Sequence, residues 1–105
     1  MAKKSKKSSG NVFEDLGFEN PDEMLTKAKL VYQINQCIDK RRLSQAKVAE
    51  ILDIPQPKVS LLMNGKIFGF SVEKLLHFLN CLSFDIEIRV KPIRSPSMGH
   101  IRVCA

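Results

Sequence analysis

The sequence contains no tryptophan, one tyrosine and three cysteines in 105 residues. The cysteines, Cys37, Cys81 and Cys104, lie at least 23 positions apart, which excludes a CxxC redox or zinc motif and argues against a disulfide scaffold. No apolar run approaches the ~18 residues that a membrane helix requires. The lysine-rich N-terminus is not followed by the apolar core of a secretory signal. We therefore expect a cytoplasmic protein with reduced thiols and no membrane contact.

Catalytic and metal-binding patterns are also missing from the sequence. No nucleophile is paired with a base, and His77 has no nearby set of ligands. Cys37 and Cys81 occupy helix-interior positions, where a cysteine is typically a small core hydrophobe. Acidic pairs such as Glu14 and Asp15 are typical of surface charge. We therefore expect neither an enzyme nor a bound metal or other cofactor.

The positive charge of the chain is unevenly distributed. The net charge is +6, yet residues 11–39 carry six acidic side chains against two lysines, whereas residues 40–70 carry six basic side chains against two acidic ones. A basic segment in an acidic body indicates a polyanion site, although a solvated charged surface would have the same composition. Residues 1–11 predict a flexible basic arm, and the proline-containing residues 92–105 predict a loose tail.

Four amphipathic helices are predicted between the two ends of the chain. Asparagine or serine at a helix start can cap free N–H groups, and proline is tolerated in the first turn. A proline also breaks the preceding helix, and Asn-Gly is a typical helix end. These signals place the helices from Asn20 to Arg42, from Ser44 to Asp53, over about 56–63 and from Ser71 onward.

Residues 84–90 alternate between apolar and charged side chains, which predicts one half-buried strand. Its apolar residues are Phe84, Ile86, Ile88 and Val90. A single strand leaves its backbone groups unpaired, and no second convincing strand is visible. We expect the segment to pair antiparallel with the same segment of a second copy, giving a two-fold symmetric homodimer. Pairing with the N-terminal segment of the same chain is the alternative.

The second and third predicted helices, with the short break between them, are typical of a helix-turn-helix. Ala49 is small where the two helices cross, and Val59 and Leu62 have the spacing needed to pack against the first two helices. The remaining side chains of the third helix point outward. Glutamine and lysine there can bond base edges, and Leu61 can contact a thymine methyl group. A merely solvated helix surface is the alternative interpretation of these polar residues.

The segment LSQAKVAEILDIPQPKVSLLMNGK, Leu43 to Lys66, resembles the helix-turn-helix of the lambda-repressor/Cro-like (XRE) family. The wider pattern, from NVFEDLGF through GFSVEKLLHFLN to FDIEIRV, is similar to HigA-type antitoxins, which are encoded beside RelE/HigB-like toxins. This resemblance covers roughly residues 11–91. It implies a mainly α bundle of four to five helices, in which one C-terminal strand pairs across a dimer. The sequence departs from the family at Asp53, where glycine is usual, and at Pro55, where a small capping residue is usual.

The predicted DNA contacts combine this resemblance with the residues themselves. The resemblance implies base contacts from Gln56, Pro57, Lys58 and Leu61. It also implies that Gln45 braces Gln56 and touches a phosphate. Free N–H groups after Ser44 suit a phosphate, and Arg41, Arg42, Lys47 and Lys66 are predicted to surround the site. The predicted phosphate contacts are Ser44, Gln45, Lys47, Ser60, Asn64 and Lys66.

The expected function is therefore sequence-specific transcriptional repression by a homodimer. Residues 12–91 would form the DNA-binding domain, and two copies of helix 56–63 would recognise a palindromic operator in major grooves about 34 Å apart. The alternative is a protein-binding module that neutralises a RelE/HigB-like toxin through the acidic segment 11–39, with DNA binding secondary. A nonspecific nucleic-acid binder is a third interpretation, but such proteins use stacking aromatic residues, which are scarce in this sequence.

Overall fold

A central long helix organises the molecule. The structure is a computed structural model that describes residues 10–94 and 96–104, so most of the predicted basic arm lies outside the described residues. The described residues form five helices: α1 (Val12–Asp15), α2 (Pro21–Arg41), α3 (Gln45–Leu52), α4 (Gln56–Met63) and α5 (Val72–Cys81). Helix α2 packs against α1, α4 and α5, and α3 packs against α4 and α5. Within these ranges, no helix combines the length and the apolar character needed to cross a membrane.

The helix starts follow from the capping residues in the sequence. Ser44 accepts a hydrogen bond at its Oγ from the backbone N–H of Lys47 at 3.1 Å, and Ser71 accepts one from Lys74 at 3.0 Å. Each serine therefore pairs one of the N–H groups that a first helical turn leaves free. Asn20 contributes only its backbone carbonyl, because its side chain makes no capping hydrogen bond.

The short helix α1 was not among the four predicted helices and depends on one asparagine. Asn11 is buried and accepts hydrogen bonds at its Oδ1 from the N–H groups of Phe13 and Glu14, at 2.9 and 3.3 Å. Its Nδ2 donates to the carbonyl of Pro21 at 2.9 Å. One side chain thus caps α1 and joins it to the beginning of α2.

The core lies between α2 and the three helices that follow it. Its most deeply buried side chains come from all four of these helices and the residue after α5: Ile34, Ile38, Val48, Val59, Leu62, Leu75, Phe78 and Leu82. Burying such apolar side chains stabilises the fold by roughly 1.5–3 kcal/mol each. Because α3 and α4 both contribute to this core, their relative position is fixed by packing.

Residues 84–90 do not form the predicted strand within this chain, since the described residues contain no β-strand. The alternative pairing with the N-terminal segment is not formed among the described residues, and the pairing with a second copy stays a prediction. The start of the segment is held by Asn80, whose Nδ2 donates to the carbonyl of Phe84 at 2.9 Å. Ile86 is half-buried, whereas Ile88 and Val90 are 76% and 90% exposed. A strand requires a paired neighbour, and this segment has none here.

The C-terminal tail returns to the first turn of α2. His100 Nδ1 lies 2.9 Å from Asp22 Oδ2, and the N–H of Ile101 donates to the same oxygen at 3.3 Å. Val103 is half-buried and packs against the core. The hydrogen bond with His100 is the main cause that lowers the pKa of Asp22, and the Ile101 N–H contributes further.

Candidate nucleic-acid interface

The turn between α3 and α4 is built around the two residues at which the sequence departs from the family pattern. Asp53 adopts a left-handed conformation (φ 57°, ψ 49°) and ends α3. Aspartate is one of the few non-glycine residues that tolerate this region. Pro55 is extended, and its carbonyl accepts from Lys58 N and Val59 N at 3.0 and 3.2 Å. A backbone carbonyl thus replaces the missing side-chain cap, and α4 begins at Gln56.

Helix α4 has one buried and one exposed side. Val59 and Leu62 are fully buried. The four side chains predicted to contact bases are all exposed: Gln56, Pro57, Lys58 and Leu61. A helix with this division can lie in a major groove without disturbing the core, because only its outer side would meet the DNA.

The predicted phosphate contacts border this exposed side. Ser44, Gln45, Lys47, Asn64 and Lys66 are exposed, while Ser60 is half-buried. The Oγ of Ser60 lies 3.5 Å from Asn64 Nδ2, and the Oγ of Ser44 is already used in capping α3. The side chains of Gln45 and Gln56, predicted to brace each other, are not hydrogen-bonded to one another in the unbound chain.

The lysines around α4 differ in their surroundings. Lys47 Nζ lies 3.4 Å from a carboxylate oxygen of Glu50, and both side chains are largely exposed, so this ion pair is weak and open to exchange. Lys58 Nζ lies 5.4 Å from the ring centre of Phe70. Neither Lys58 nor Lys66 has a carboxylate partner among residues 10–94 and 96–104. No carboxylate therefore competes with DNA for either lysine in this part of the chain.

Arg41 was predicted to border the DNA site, but it contacts the end of α5. Its Nη2 donates to the carbonyl of Leu82 at 2.7 Å, and its guanidinium lies 5.9 Å from the ring centre of Phe84. Arginine at this position therefore neutralises a helix C-terminus and holds the beginning of segment 84–90. Arg42 is exposed and ends α2 in a left-handed conformation.

The C-terminal end of α4 is fixed by contacts that the sequence reasoning missed. Asn35 of α2 donates from Nδ2 to the carbonyl of Leu62 at 3.1 Å. Gly65 has φ +75° and its N–H donates to the same carbonyl at 3.1 Å. The glycine was foreseeable from the Asn-Gly pair. No local pattern marks Asn35, because its partner lies 27 positions away.

Two comparisons with known proteins agree with this geometry. Residues 12–91 match a family model described as a helix-turn-helix domain. A solved structure named as an XRE family transcriptional regulator is 48% identical, with a TM-score of 0.74, and the match covers 80% of this chain and 96% of that chain. A comparison with curated proteins finds no match.

The packed α3–turn–α4 unit, with one side of its second helix exposed, defines a DNA-binding helix-turn-helix protein. The match over residues 12–91 and the identity with the solved regulator show that the chain belongs to the XRE helix-turn-helix family. The family predicted from the segment Leu43 to Lys66 is therefore confirmed, as is a mainly helical fold.

Proposed function

We propose that this protein is a transcriptional repressor that recognises a specific operator with α4. The observation that carries the proposal is the exposure of Gln56, Lys58 and Leu61 on a helix whose opposite side is fully buried. Glutamine and lysine can donate to base edges, and leucine can pack on a thymine methyl group. The XRE regulator named above supports the same role, because it is 48% identical over most of this chain.

Phosphate contacts would position α4 in the groove. The proposed set is Ser44, Gln45, Lys47, Ser60, Asn64 and Lys66. The first turn of α3 presents backbone N–H groups at the positive end of a helix dipole, a favourable environment for a phosphate. Lys66 lies directly after Gly65 at the other end of α4 and would contact the backbone there. These contacts set orientation, whereas the α4 side chains supply specificity.

The active form would be a homodimer joined through segment 84–90. Ile88 and Val90 are more than three-quarters exposed. Within the described chain, the backbone hydrogen bonds of the segment are confined to Phe84, whose N–H donates to Leu79 and whose carbonyl accepts from Asn80. Antiparallel pairing with a second copy would satisfy the remaining backbone groups and cover the apolar residues. Two-fold symmetry would then present two α4 helices to a palindrome with half-sites about 34 Å apart.

Toxin neutralisation is a second candidate function, favoured by a surface outside the DNA site. The rings of Phe18 and Phe68 stack at 6.2 Å between centres while remaining 40% and 68% exposed. Glu14, Asp15 and Glu19 lie beside Phe18 in the sequence and are exposed. An apolar patch bordered by acidic residues suits a basic partner, such as a RelE/HigB-like toxin.

Co-purification with the product of the neighbouring gene tests this second candidate. We expect Phe68→Ser to weaken a complex with a RelE/HigB-like protein, while Met98→Ser, at another exposed apolar residue, leaves it intact. A neighbouring gene of another class, or a complex indifferent to Phe68→Ser, would count against toxin neutralisation through this surface.

Fluorescence anisotropy tests operator recognition directly. The wild type is titrated with DNA from upstream of its own gene and with a scrambled duplex. We expect the upstream duplex to be preferred by roughly 10³-fold or more, and we expect Lys58→Ala to reduce this preference by about one order of magnitude. Lys74→Ala is the matched control, since Lys74 also lies over a phenylalanine ring but on α5. Equal, weak and salt-sensitive binding to both duplexes would contradict the proposal.

A further inference from the structure

Phe70 connects the recognition helix to the core through the side chain of Lys58. Phe70 is only 5% exposed, and its ring packs edge-on against Phe78 with 5.9 Å between centres. The ammonium of Lys58 lies 5.4 Å from the centre of the same ring. A buried ring thus lies beneath a charged side chain that belongs to the exposed side of α4.

The chemistry of this contact differs from that of an ion pair. An aromatic face attracts a cation through its quadrupole and leaves the net charge unchanged. Lys47 shows the contrast, because its ammonium is partly neutralised by Glu50 at 3.4 Å. Lys58 is held in place while its charge and its N–H donors stay available to an acceptor on DNA.

We propose that Phe70 is a positioning residue for DNA recognition, which holds the Lys58 ammonium where it can donate to a base edge. The proposal rests on the proposed function, because it requires Lys58 to contact bases. A free lysine side chain samples many rotamers. A contact with DNA must therefore compensate for the conformational entropy that is lost when one rotamer is fixed. The Phe70 ring lowers this cost, so the specificity of α4 depends in part on a residue that does not touch DNA.

The Phe70 ring is also fixed from the side of the core. Phe70 lies in the loop between α4 and α5, directly before the capping residue Ser71. The capped α5 and the Phe78 contact fix the ring from the core side. A change in the packing of the Phe70 ring would therefore alter base recognition by Lys58.

A double-mutant cycle on DNA binding tests the proposal. Wild type, Phe70→Leu, Lys58→Ala and the double variant are titrated with the upstream duplex and with the scrambled duplex. We expect Phe70→Leu to weaken binding to the upstream duplex by about two- to five-fold, the range of an exposed cation–π contact. Binding to the scrambled duplex and the salt dependence should not change. In the Lys58→Ala background, Phe70→Leu should have no further effect.

Ile67→Val controls for disturbance of the core, because Ile67 is another buried residue of the same loop. Phe70→Met supplies a second apolar replacement if the leucine variant fails to fold. An equal loss on both duplexes, or the same loss with and without Lys58, would overturn the positioning role. Tighter binding by Phe70→Leu would also overturn it, since the ring would then be withholding Lys58. If Lys58→Ala itself leaves the preference intact, the base-contact role of Lys58 fails instead.

Discussion

At the scale of single residues, Asp53 shows how local chemistry positions the DNA-binding helix. Its left-handed conformation reverses the chain between α3 and α4. The sequence made this foreseeable, since the family has glycine at this position and aspartate tolerates the same backbone region. The left-handed conformation is nevertheless less favourable for aspartate than for glycine, because the Cβ atom of aspartate crowds the backbone.

Replacing Asp53 by glycine and by alanine should separate backbone strain from side-chain effects. Both variants lose the carboxylate, but only glycine adopts positive φ without steric cost. We expect Asp53→Gly to be more stable than Asp53→Ala by about 1 kcal/mol in denaturant unfolding. Equal stabilities would show that the backbone conformation at this position carries no steric penalty.

Asp22 ties the C-terminal tail to α2 through an interaction that depends on pH. Its hydrogen bond with His100, and then that with the Ile101 N–H, lower the pKa of its carboxyl below the ordinary value of 3.8. Because the pKa is lowered, the contact stabilises the folded tail at pH values above the ordinary pKa of 3.8. This stabilisation is lost as the pH falls through the lowered pKa. We expect the tail to be released progressively as the pH falls below 3.8.

Hydrogen exchange at the Ile101 amide measures this release. Protection should fall between neutral pH and a pH below the lowered pKa of Asp22 in the wild type. In Asp22→Asn, protection should already be low at neutral pH and show little further change, once intrinsic exchange rates are removed. A wild-type amide that is equally protected at both pH values would refute the role of the carboxylate.

At the scale of helices, local signals were sufficient for α2 to α5, whereas the short α1 was not predicted. Ser44 and Ser71 cap the helices that they were predicted to begin, and α4 spans the predicted residues 56–63. The missed contacts of Arg41 and His100 join distant parts of the chain. Arg41 bonds a carbonyl 41 positions away, and His100 contacts a residue 78 positions away. Such pairs leave no periodicity in the sequence, since each depends on how complete helices pack.

The two serine caps allow an effect on stability to be distinguished from an effect on DNA binding. Ser44→Ala and Ser71→Ala should each lower the free energy of unfolding by about 1 kcal/mol, because each leaves one N–H group without its cap. Only Ser44→Ala should also weaken DNA binding, since the proposed phosphate contact lies at the start of α3. Thermal unfolding and anisotropy on the same samples measure both effects. Equal weakening of DNA binding by both variants would indicate a general loss of folded protein.

At the scale of the whole molecule, the conformation of segment 84–90 depends on a neighbouring strand. Its alternation predicted a strand, yet the described chain supplies no neighbour for it. The positions of Gln56, Lys58 and Leu61 could be predicted because helical geometry alone determines the outward side of α4. The supporting role of Phe70 could not, because it depends on the packing of the loop after that helix.

Dimerisation through this segment should depend on its apolar residues. Ile88→Asp is expected to convert a dimer into a monomer in light scattering at micromolar concentration, because a charge would be buried between two copies. The monomer should bind the upstream duplex much more weakly, having lost the second α4. Met98→Asp, at an exposed tail residue, should remain dimeric. A monomeric wild type at that concentration would contradict the dimer proposal.

The division of α4 into two sides also bears on how this protein can diverge. Val59 and Leu62 hold the helix in the core, while Gln56, Lys58 and Leu61 contribute little to it. A gene duplicate could therefore acquire a new operator by exchanging three surface residues, with little loss of stability on the way. Lys58 would be the least free to change, since its replacement would also remove the contact with the ring of Phe70. Families of paralogous regulators with the same core and different target sites are the expected evolutionary outcome.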